Sequence, residues 1–95
     1  MDQFFIGPVR WRLASGHHLR PGAVAVLSSH AHSAPVLADT LSDMAQPTPA
    51  EDECIREYSR SLQAKLVEVV GAALADCRPA SLEQGLGRAT FAMNR

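Results

Sequence analysis

The sequence predicts an α/β fold made of one strand–long helix–strand crossover unit, as part of a larger α/β domain. Three observations predict it: a near-continuous apolar run over residues 23–28, an amphipathic helix pattern that begins at Pro49, and a stretch rich in β-formers over 80–95. A crossover unit of this kind ordinarily belongs to a larger sheet. We therefore interpret residues 1–95 as part of a single domain.

The N-terminal residues 1–18 are the least defined part of the sequence. Gly7 and Pro8 interrupt an apolar stretch, which favours an edge strand or a frayed end. Residues 16–22 have the glycine and proline content of a turn. The apolar run that follows, over 23–28, suits a strand buried on both faces.

The most specific structural signal is a helix from about Pro49 to Cys77. Thr48 and Glu51 have the spacing of a capping box, and Pro49 takes the first helical position, where its missing amide costs nothing. Pro79 sets the end of the helix. One apolar stripe follows the helix at spacings of three and four. It consists of Ile55, Tyr58, Leu62, Leu66, Val69 and Ala73.

We expect this stripe to pack on the first strand, because only that strand offers enough branched apolar surface. The expected contacts join Tyr58, Leu62 and Leu66 to Val24, Val26 and Leu27. Gly71 marks either a close helix–sheet contact or a local loss of helix propensity. Without the rest of the sheet, a strand edge and an apolar patch should be exposed, so the isolated chain should self-associate or be marginally stable.

Composition excludes several classes of protein. Of the 95 residues, 46% are hydrophobic, which suffices for a modest core and argues against a disordered chain. The formal net charge of −1 argues against a general nucleic-acid binder and against a polybasic membrane-surface module. The N-terminus lacks the pattern of a signal peptide, and the sequence has no run of about 18 apolar residues that would predict a transmembrane segment.

The two cysteines, Cys54 and Cys77, lie 23 residues apart in the predicted helix. That separation is roughly 34 Å along a helix axis, whereas a disulfide needs Cα atoms within about 7 Å. We therefore interpret both as free thiols that act as small buried hydrophobes. Cys54 lies near the helix N-terminus, which gives it a slight case for reactivity, but no base accompanies it.

His30 and His32 directly follow the predicted strand and carry the clearest chemical signal. Residues i and i+2 of a strand project from one face, so both imidazoles can point at one atom, with the small Ala31 between them. Neutral imidazoles are zinc ligands, and α/β proteins place their sites at the carboxyl ends of strands. The pattern therefore predicts a zinc site, although a single His-x-His also occurs among incidental histidines.

The sequence specifies no third zinc ligand. Candidates by residue type alone are His17, His18, Asp39 and Asp43. The serines beside the two histidines lack the glycine elbow that surrounds a nucleophile, so we expect structural or supporting roles for them. These serines are Ser28, Ser29 and Ser33.

Several motifs together resemble one family, the neutral/alkaline non-lysosomal ceramidases. VLSSHAHSAP resembles the apolar strand of that family and its His-Thr-His-Ser-Gly-Pro motif. REYSRSLQAKLVEVVGAALADCRPASL resembles its long helix, and GLGRATFAMNR resembles its Gly-x-Gly-Arg strand, which closes on Asn-Arg. The likeness extends from about Leu19 to Arg95, with Ala31 and Ala34 in place of the family's threonine and glycine.

The resemblance implies the N-terminal part of a zinc-dependent amidase that hydrolyses the N-acyl bond of ceramide or another N-acyl lipid. It implies that His30 is a zinc ligand, that His32 and Arg95 act at the reaction centre, and that Asn94 and Arg95 contact the substrate. The family's other zinc ligands and its catalytic serine match no residue here, so this chain alone should be inactive. The family also implies a secreted, periplasmic or cell-surface location.

The predicted topology brings the two ends of the site together. A right-handed crossover makes the first and last strands parallel, so His30 and Arg95 should meet at one edge of the sheet. Two alternatives stay open: a fragment of an amidohydrolase-like metal-dependent hydrolase, which also carries His-x-His at a strand end, and a non-catalytic small α/β domain with incidental histidines. The Asn94–Arg95 pair favours the ceramidase-like interpretation.

Overall fold

A computed structural model describes residues 3–29, 31–40 and 46–93. Two α-helices dominate these residues: α1, Gln3–His17, and α2, Pro49–Ala75. They pack against each other. No described residue belongs to a strand, so the described part of the chain is all-α and the α/β prediction is wrong, for the enzyme fragment and for the small non-catalytic domain alike.

Helix α1 forms because its apolar residues recur with a helical period. Phe5, Val9 and Leu13 are spaced by four, and Ile6 lies beside them, so all four occupy one side of the helix. These four residues are buried and form the hydrophobic core of the described residues. Pro8 lies inside the helix, where it forfeits one backbone hydrogen bond without ending the element. The expected edge strand or frayed end is therefore a helix.

Helix α2 begins as the sequence predicts. The Thr48 hydroxyl accepts the Glu51 amide at 3.4 Å, and Glu51 Oε2 accepts the Thr48 amide at 2.8 Å, so both halves of the capping box are present. The helix runs for 27 residues and ends at Ala75, two residues before Cys77. Neither described helix is both long and apolar enough to span a membrane.

The face of α2 that meets α1 is partly polar. Ser59 is the buried residue of α2, with 4% of its surface exposed. Four residues on, the Gln63 side-chain amide donates a hydrogen bond to the Phe5 carbonyl oxygen at 3.0 Å. This bond ties the middle of α2 to the first turn of α1. It also gives the Phe5 carbonyl oxygen a hydrogen-bond partner at the contact between the two helices.

The apolar stripe predicted on α2 lies at the margin of this contact. Tyr58 and Val69 are 41% and 59% exposed. Ala73 is also exposed, while the remaining members are half-buried; these are Ile55, Leu62 and Leu66. Helix α2 packs on α1, and residues 24–27 form no strand, so the predicted packing of Tyr58, Leu62 and Leu66 on a first strand is wrong. The reason is that α1 offers a four-residue apolar face in a regular element.

The two segments predicted as strands have no regular structure. Residues 24–29 follow a 3-10 turn at Pro21–Ala23, and Leu27 is 90% exposed. Residues 77–93 also lack regular structure, and Phe91 and Met93 are almost fully exposed. A strand persists only when its backbone groups pair with a neighbouring strand, and neither segment has such a neighbour among the described residues.

The end of α1 approaches α2 closely at Gly71. A Cβ atom at position 71 would lie 2.7 Å from Cε1 and 3.0 Å from Nε2 of His17. His18 then adopts a φ of 56°, a left-handed conformation that turns the chain out of the helix. The close contact expected at Gly71 therefore exists, but its neighbour is a helix rather than a sheet.

Replacing Thr48 with alanine should lower the free energy of unfolding by about 1 kcal/mol, because the cap of α2 is lost. The Thr48 hydroxyl and then its amide, as hydrogen-bond donors, hold the pKa of Glu51 below its ordinary value of 4.5. The Glu51 carboxylate therefore makes its full contribution to the stability of the cap above pH 4.5. This contribution is lost as the pH falls through the lowered pKa of Glu51 in the folded state. Urea unfolding followed by circular dichroism should show a smaller Thr48→Ala effect in acid. Thr90→Ala, in the exposed tail, is the control, and an equal loss there would contradict the capping argument.

Gly71→Ala should behave differently depending on the residue at position 17. In a His17→Ala background the new methyl group meets no imidazole, so the substitution should stabilise the chain by about 1 kcal/mol through helix propensity. In the wild-type background the imidazole must move, and the gain should shrink or reverse. A double-mutant cycle measures this coupling. Additive effects would show that the His17–Gly71 contact contributes nothing.

Candidate functional site

The structure places only one of the four predicted site residues among those it describes. His30, Asn94 and Arg95 lie outside the described residues. The parallel strands that were expected to bring His30 and Arg95 to one edge of a sheet do not form among the described residues, so that basis for their meeting is wrong. His32 lies in an exposed bend over residues 32–34. Of the four candidate zinc ligands chosen by residue type, Asp43 also lies outside the described residues.

The other candidate ligands have structural positions of their own. His17 packs on Gly71, and His18 ends α1 in a left-handed conformation. Asp39 lies in the turn that precedes residues 41–45. Among the described residues, no group of three or more His, Cys, Asp or Glu side chains is arranged to hold a metal ion. Imidazole is a suitable zinc donor, but a catalytic zinc takes three protein ligands, so these residues supply an incomplete set.

A tight turn follows the histidine motif and directs the chain towards α2. The Thr40 amide donates to the Leu37 carbonyl oxygen at 3.2 Å. Asp39, the third residue of this turn, has a φ of 59°, which is the type II pattern and one that aspartate tolerates better than most residues. The turn thus fixes the path of the chain a few residues beyond Pro35.

Ser59 anchors this turn to α2. The Ala38 amide donates to Ser59 Oγ at 2.8 Å, and the same hydroxyl donates to the Ile55 carbonyl oxygen at 2.7 Å. The hydroxyl therefore uses both its acceptor and its donor capacity while it is buried. Because Ala38 lies three residues after Pro35, this bond ties the downstream side of the histidine motif to the helix pair.

A cavity of about 250 Å³ lies beside this anchor, between the 37–40 turn, α1 and α2. Arg56 and Arg60 line it, but both guanidinium groups already contact carboxylates. Arg56 Nε lies 2.8 Å from Asp52, and this hydrogen bond, with the charges of Asp52 and Asp39, raises the pKa of Arg56. The positive charges are balanced locally, which favours a structural role over the binding of an anion.

An open apolar groove begins immediately after the histidine motif. Its volume is about 570 Å³. The apolar part of its lining comes from Val36, Pro47, Ala50, Cys54 and Ile55. The groove thus connects the residue that follows Pro35 with the first two turns of α2.

Both cysteines are free and exposed, so the free-thiol prediction is confirmed, whereas the prediction that they are buried is wrong.

The chain matches no known protein-family model, no curated protein and no solved structure. The likeness to neutral ceramidases therefore rests on the motif residues of the sequence, chiefly His30-Ala31-His32-Ser33 and Asn94-Arg95.

Sequence reasoning missed the residues that fix this region, above all Ser59 and Gln63. A signal for Ser59 is present in the sequence: it lies four residues after Ile55, so a hydroxyl there can reach back to the Ile55 carbonyl. Its second bond, to Ala38, joins residues 21 positions apart and leaves no local trace. Gln63 bonds to a residue 58 positions away, in a helix that the sequence did not predict.

Ser59→Ala should lower the free energy of unfolding by about 1–3 kcal/mol, because the half-buried Ala38 amide loses its acceptor. Ser61→Ala, on the exposed side of the same helix, is the matched control and should change it by less than about 0.5 kcal/mol. Chemical denaturation of the three proteins measures both effects. Equal values for the two variants would show that the turn is not anchored through Ser59.

Proposed function

We propose that this chain contributes to the active site of a zinc-dependent amidase that hydrolyses the N-acyl bond of ceramide-like lipids. His30 is the zinc ligand in this proposal, His32 and Arg95 act at the reaction centre, and Asn94 helps to bind the substrate. The chain alone is inactive, because further ligands come from other residues of the enzyme. The proposal includes a secreted, periplasmic or cell-surface location.

The observation that carries the proposal is the position of the apolar groove. The motif ends at Pro35, and the next residue, Val36, already lines the groove. An N-acyl lipid needs an apolar surface next to the group that is hydrolysed, since transfer of its chain from water contributes about 0.8 kcal/mol per buried CH₂. Pro47, Ala50 and Ile55 line the same groove as Val36 and supply such a surface.

A second observation supports the use of this region as an active-site wall. The bend at residues 32–34 is exposed and is not part of the α1–α2 core. Functional residues commonly lie on loops that a rigid element positions, and here Ser59 and the 37–40 turn provide the positioning. The helices form the support, and the exposed bend that carries His32 lies outside the helix pair.

The residue types suit amide hydrolysis. A zinc ion supplies, when bound, a water of lowered pKa and a polarised carbonyl group. His30, as a neutral imidazole, would hold the ion. His32 can donate a hydrogen bond to the oxyanion that develops on the amide carbonyl, and the guanidinium of Arg95 can place a fixed positive charge beside it. Asn94 can orient the amide through its own donor and acceptor atoms.

The proposal is tested in the native gene product that carries these residues. His30→Ala should remove zinc, measured by elemental analysis, and abolish release of fatty acid from a fluorescent N-acylsphingosine. His32→Ala should retain most of the zinc and lower kcat by roughly 10²–10³-fold, the size expected for a lost oxyanion donor.

His18→Asn is the control, because an exposed histidine in a left-handed position can be replaced by asparagine without strain. It should change neither zinc content nor rate. A His30→Ala protein that keeps its zinc and its turnover would refute the assignment of the site.

A further inference from the structure

Helix α1 carries apolar residues on two opposite sides, and only one of these sides meets α2. Val9 and Leu13 belong to the buried side. Trp11 lies two residues from each of them, and a step of two residues on a helix turns a side chain to roughly the opposite side. Trp11 is accordingly 70% exposed, which is unusual for the largest apolar side chain of a small protein.

The residues around Trp11 form an uncharged surface that we call the outer face of α1. It consists of Gly7, Pro8, Trp11 and Ala14, which follow one another at spacings of one, three and three and so share one side of the helix. Pro8 is exposed, and Gly7 and Ala14 are half-buried. Because the neighbours of Trp11 are small, the indole is the most prominent group of this face. An indole has an apolar body and one polar N–H, which suits the boundary between water and an apolar phase.

Two arginines border the outer face. Arg10 and Arg12 adjoin Trp11 in the sequence, so they lie on either side of it around the helix. Arg12 is exposed and Arg10 is half-buried. Neither forms an ion pair with any residue that the structure describes. The aliphatic stem of an arginine can lie along apolar surface while its guanidinium group reaches a polar layer. The outer face therefore has an apolar centre and two cationic edges.

The charges of the chain are separated along the sequence. Residues 3–38 contain three arginines, Arg10, Arg12 and Arg20, and no aspartate or glutamate, which is a formal charge of +3. The acidic residues from Asp39 onwards bring the whole chain to −1. The argument from net charge against a membrane-surface protein thus applies to the chain as a whole, and not to the segment that contains α1.

We propose that the outer face of α1 docks on an anionic lipid surface. Trp11 then lies among the lipid headgroups, as tryptophan does at membrane interfaces, and Arg10 and Arg12 contact the anionic headgroups on either side. Helix α1 lies in the plane of the membrane, and α2 stays on the water side of it. A nucleic acid is a poorer match, because the surface between the arginines is apolar and only a few phosphate contacts are available. The docking is independent of the proposed function.

Trp11 is the single tryptophan of the chain, so its fluorescence reports the docking directly. The full chain is titrated with vesicles of mixed phosphatidylcholine and phosphatidylserine at low salt. The emission of Trp11 should shift to shorter wavelength, and lipids brominated close to the headgroup should quench it. Pure phosphatidylcholine vesicles should bind roughly tenfold more weakly or less, since the arginines then face no net charge. High salt should weaken the binding to the anionic vesicles.

Variants test which groups make the contact. Arg12→Gln should lower the partition coefficient on anionic vesicles roughly fivefold, the size expected for one basic residue near such a surface. Arg88→Gln removes the same charge from the exposed segment 77–93 and is the matched control, which should bind like the wild type. Trp11→Ser should weaken binding roughly tenfold in a vesicle co-sedimentation assay, because the apolar contact is lost. Circular dichroism verifies that each variant keeps its helices.

Three results would overturn the proposal. The first is a chain that binds neither kind of vesicle, or that binds an oligonucleotide in preference to anionic vesicles. The second is vesicle binding that leaves the emission of Trp11 unshifted, which would point to the exposed apolar residues of segment 77–93 instead. The third is an equal loss of binding in Arg12→Gln and Arg88→Gln, which would show that the chain responds to overall charge and not through the outer face.

Discussion

The packing of α1 on α2 is the interaction on which the rest of the structure depends. Phe5, Ile6, Val9 and Leu13 form the buried apolar face, and they all belong to α1. A helix gains most of its stability from tertiary packing rather than from propensity, so even the 27-residue α2 relies on this contact. The His17–Gly71 approach and the Gln63–Phe5 hydrogen bond then fix how the two helices lie against each other.

This packing separates support from chemistry. The helices bury the N-terminal apolar residues and leave residues 32–34, which include His32, in an exposed bend, and the segment that follows is tied to α2 through the Ala38–Ser59 hydrogen bond. The apolar groove lies where the motif segment and the start of α2 converge. In the proposed function, the histidine segment would supply the polar reaction centre of a lipid amidase, and the groove would supply its adjoining apolar surface.

The sequence predicts α2 well because its signals are local. A capping box needs only Thr48 and Glu51, three residues apart, and both hydrogen bonds form. The prediction of two strands is wrong because a strand depends on hydrogen bonds to a neighbouring strand, which the local sequence does not reveal. Helix α1 was missed because Gly7 and Pro8 suggest a break, although the period of Phe5, Val9 and Leu13 continues through them.

The candidate site shows the same division. The His-x-His motif is visible as a pattern of residue types, and its chemistry follows from them. The anchoring of the following segment through Ser59 is not visible in the sequence, because the hydrogen bond joins Ser59 to Ala38, 21 positions away. The stripe on α2 is apolar, as its spacing predicts, but which element packs on it depends on the fold of the rest of the chain. Because that element is the helix α1, the buried face of α2 is centred on Ser59 rather than on the stripe.

Amide hydrogen exchange of the full chain, at a concentration low enough to keep it monomeric, tests the central claim most directly. If α1 packs on α2, the amides of residues 9–13 and 59–70 should be the most protected, while those of 24–29 and 79–93 exchange at nearly unprotected rates. Strong protection of residues 24–28 together with 88–93 would instead show that those segments pair in a sheet, and would contradict the two-helix core.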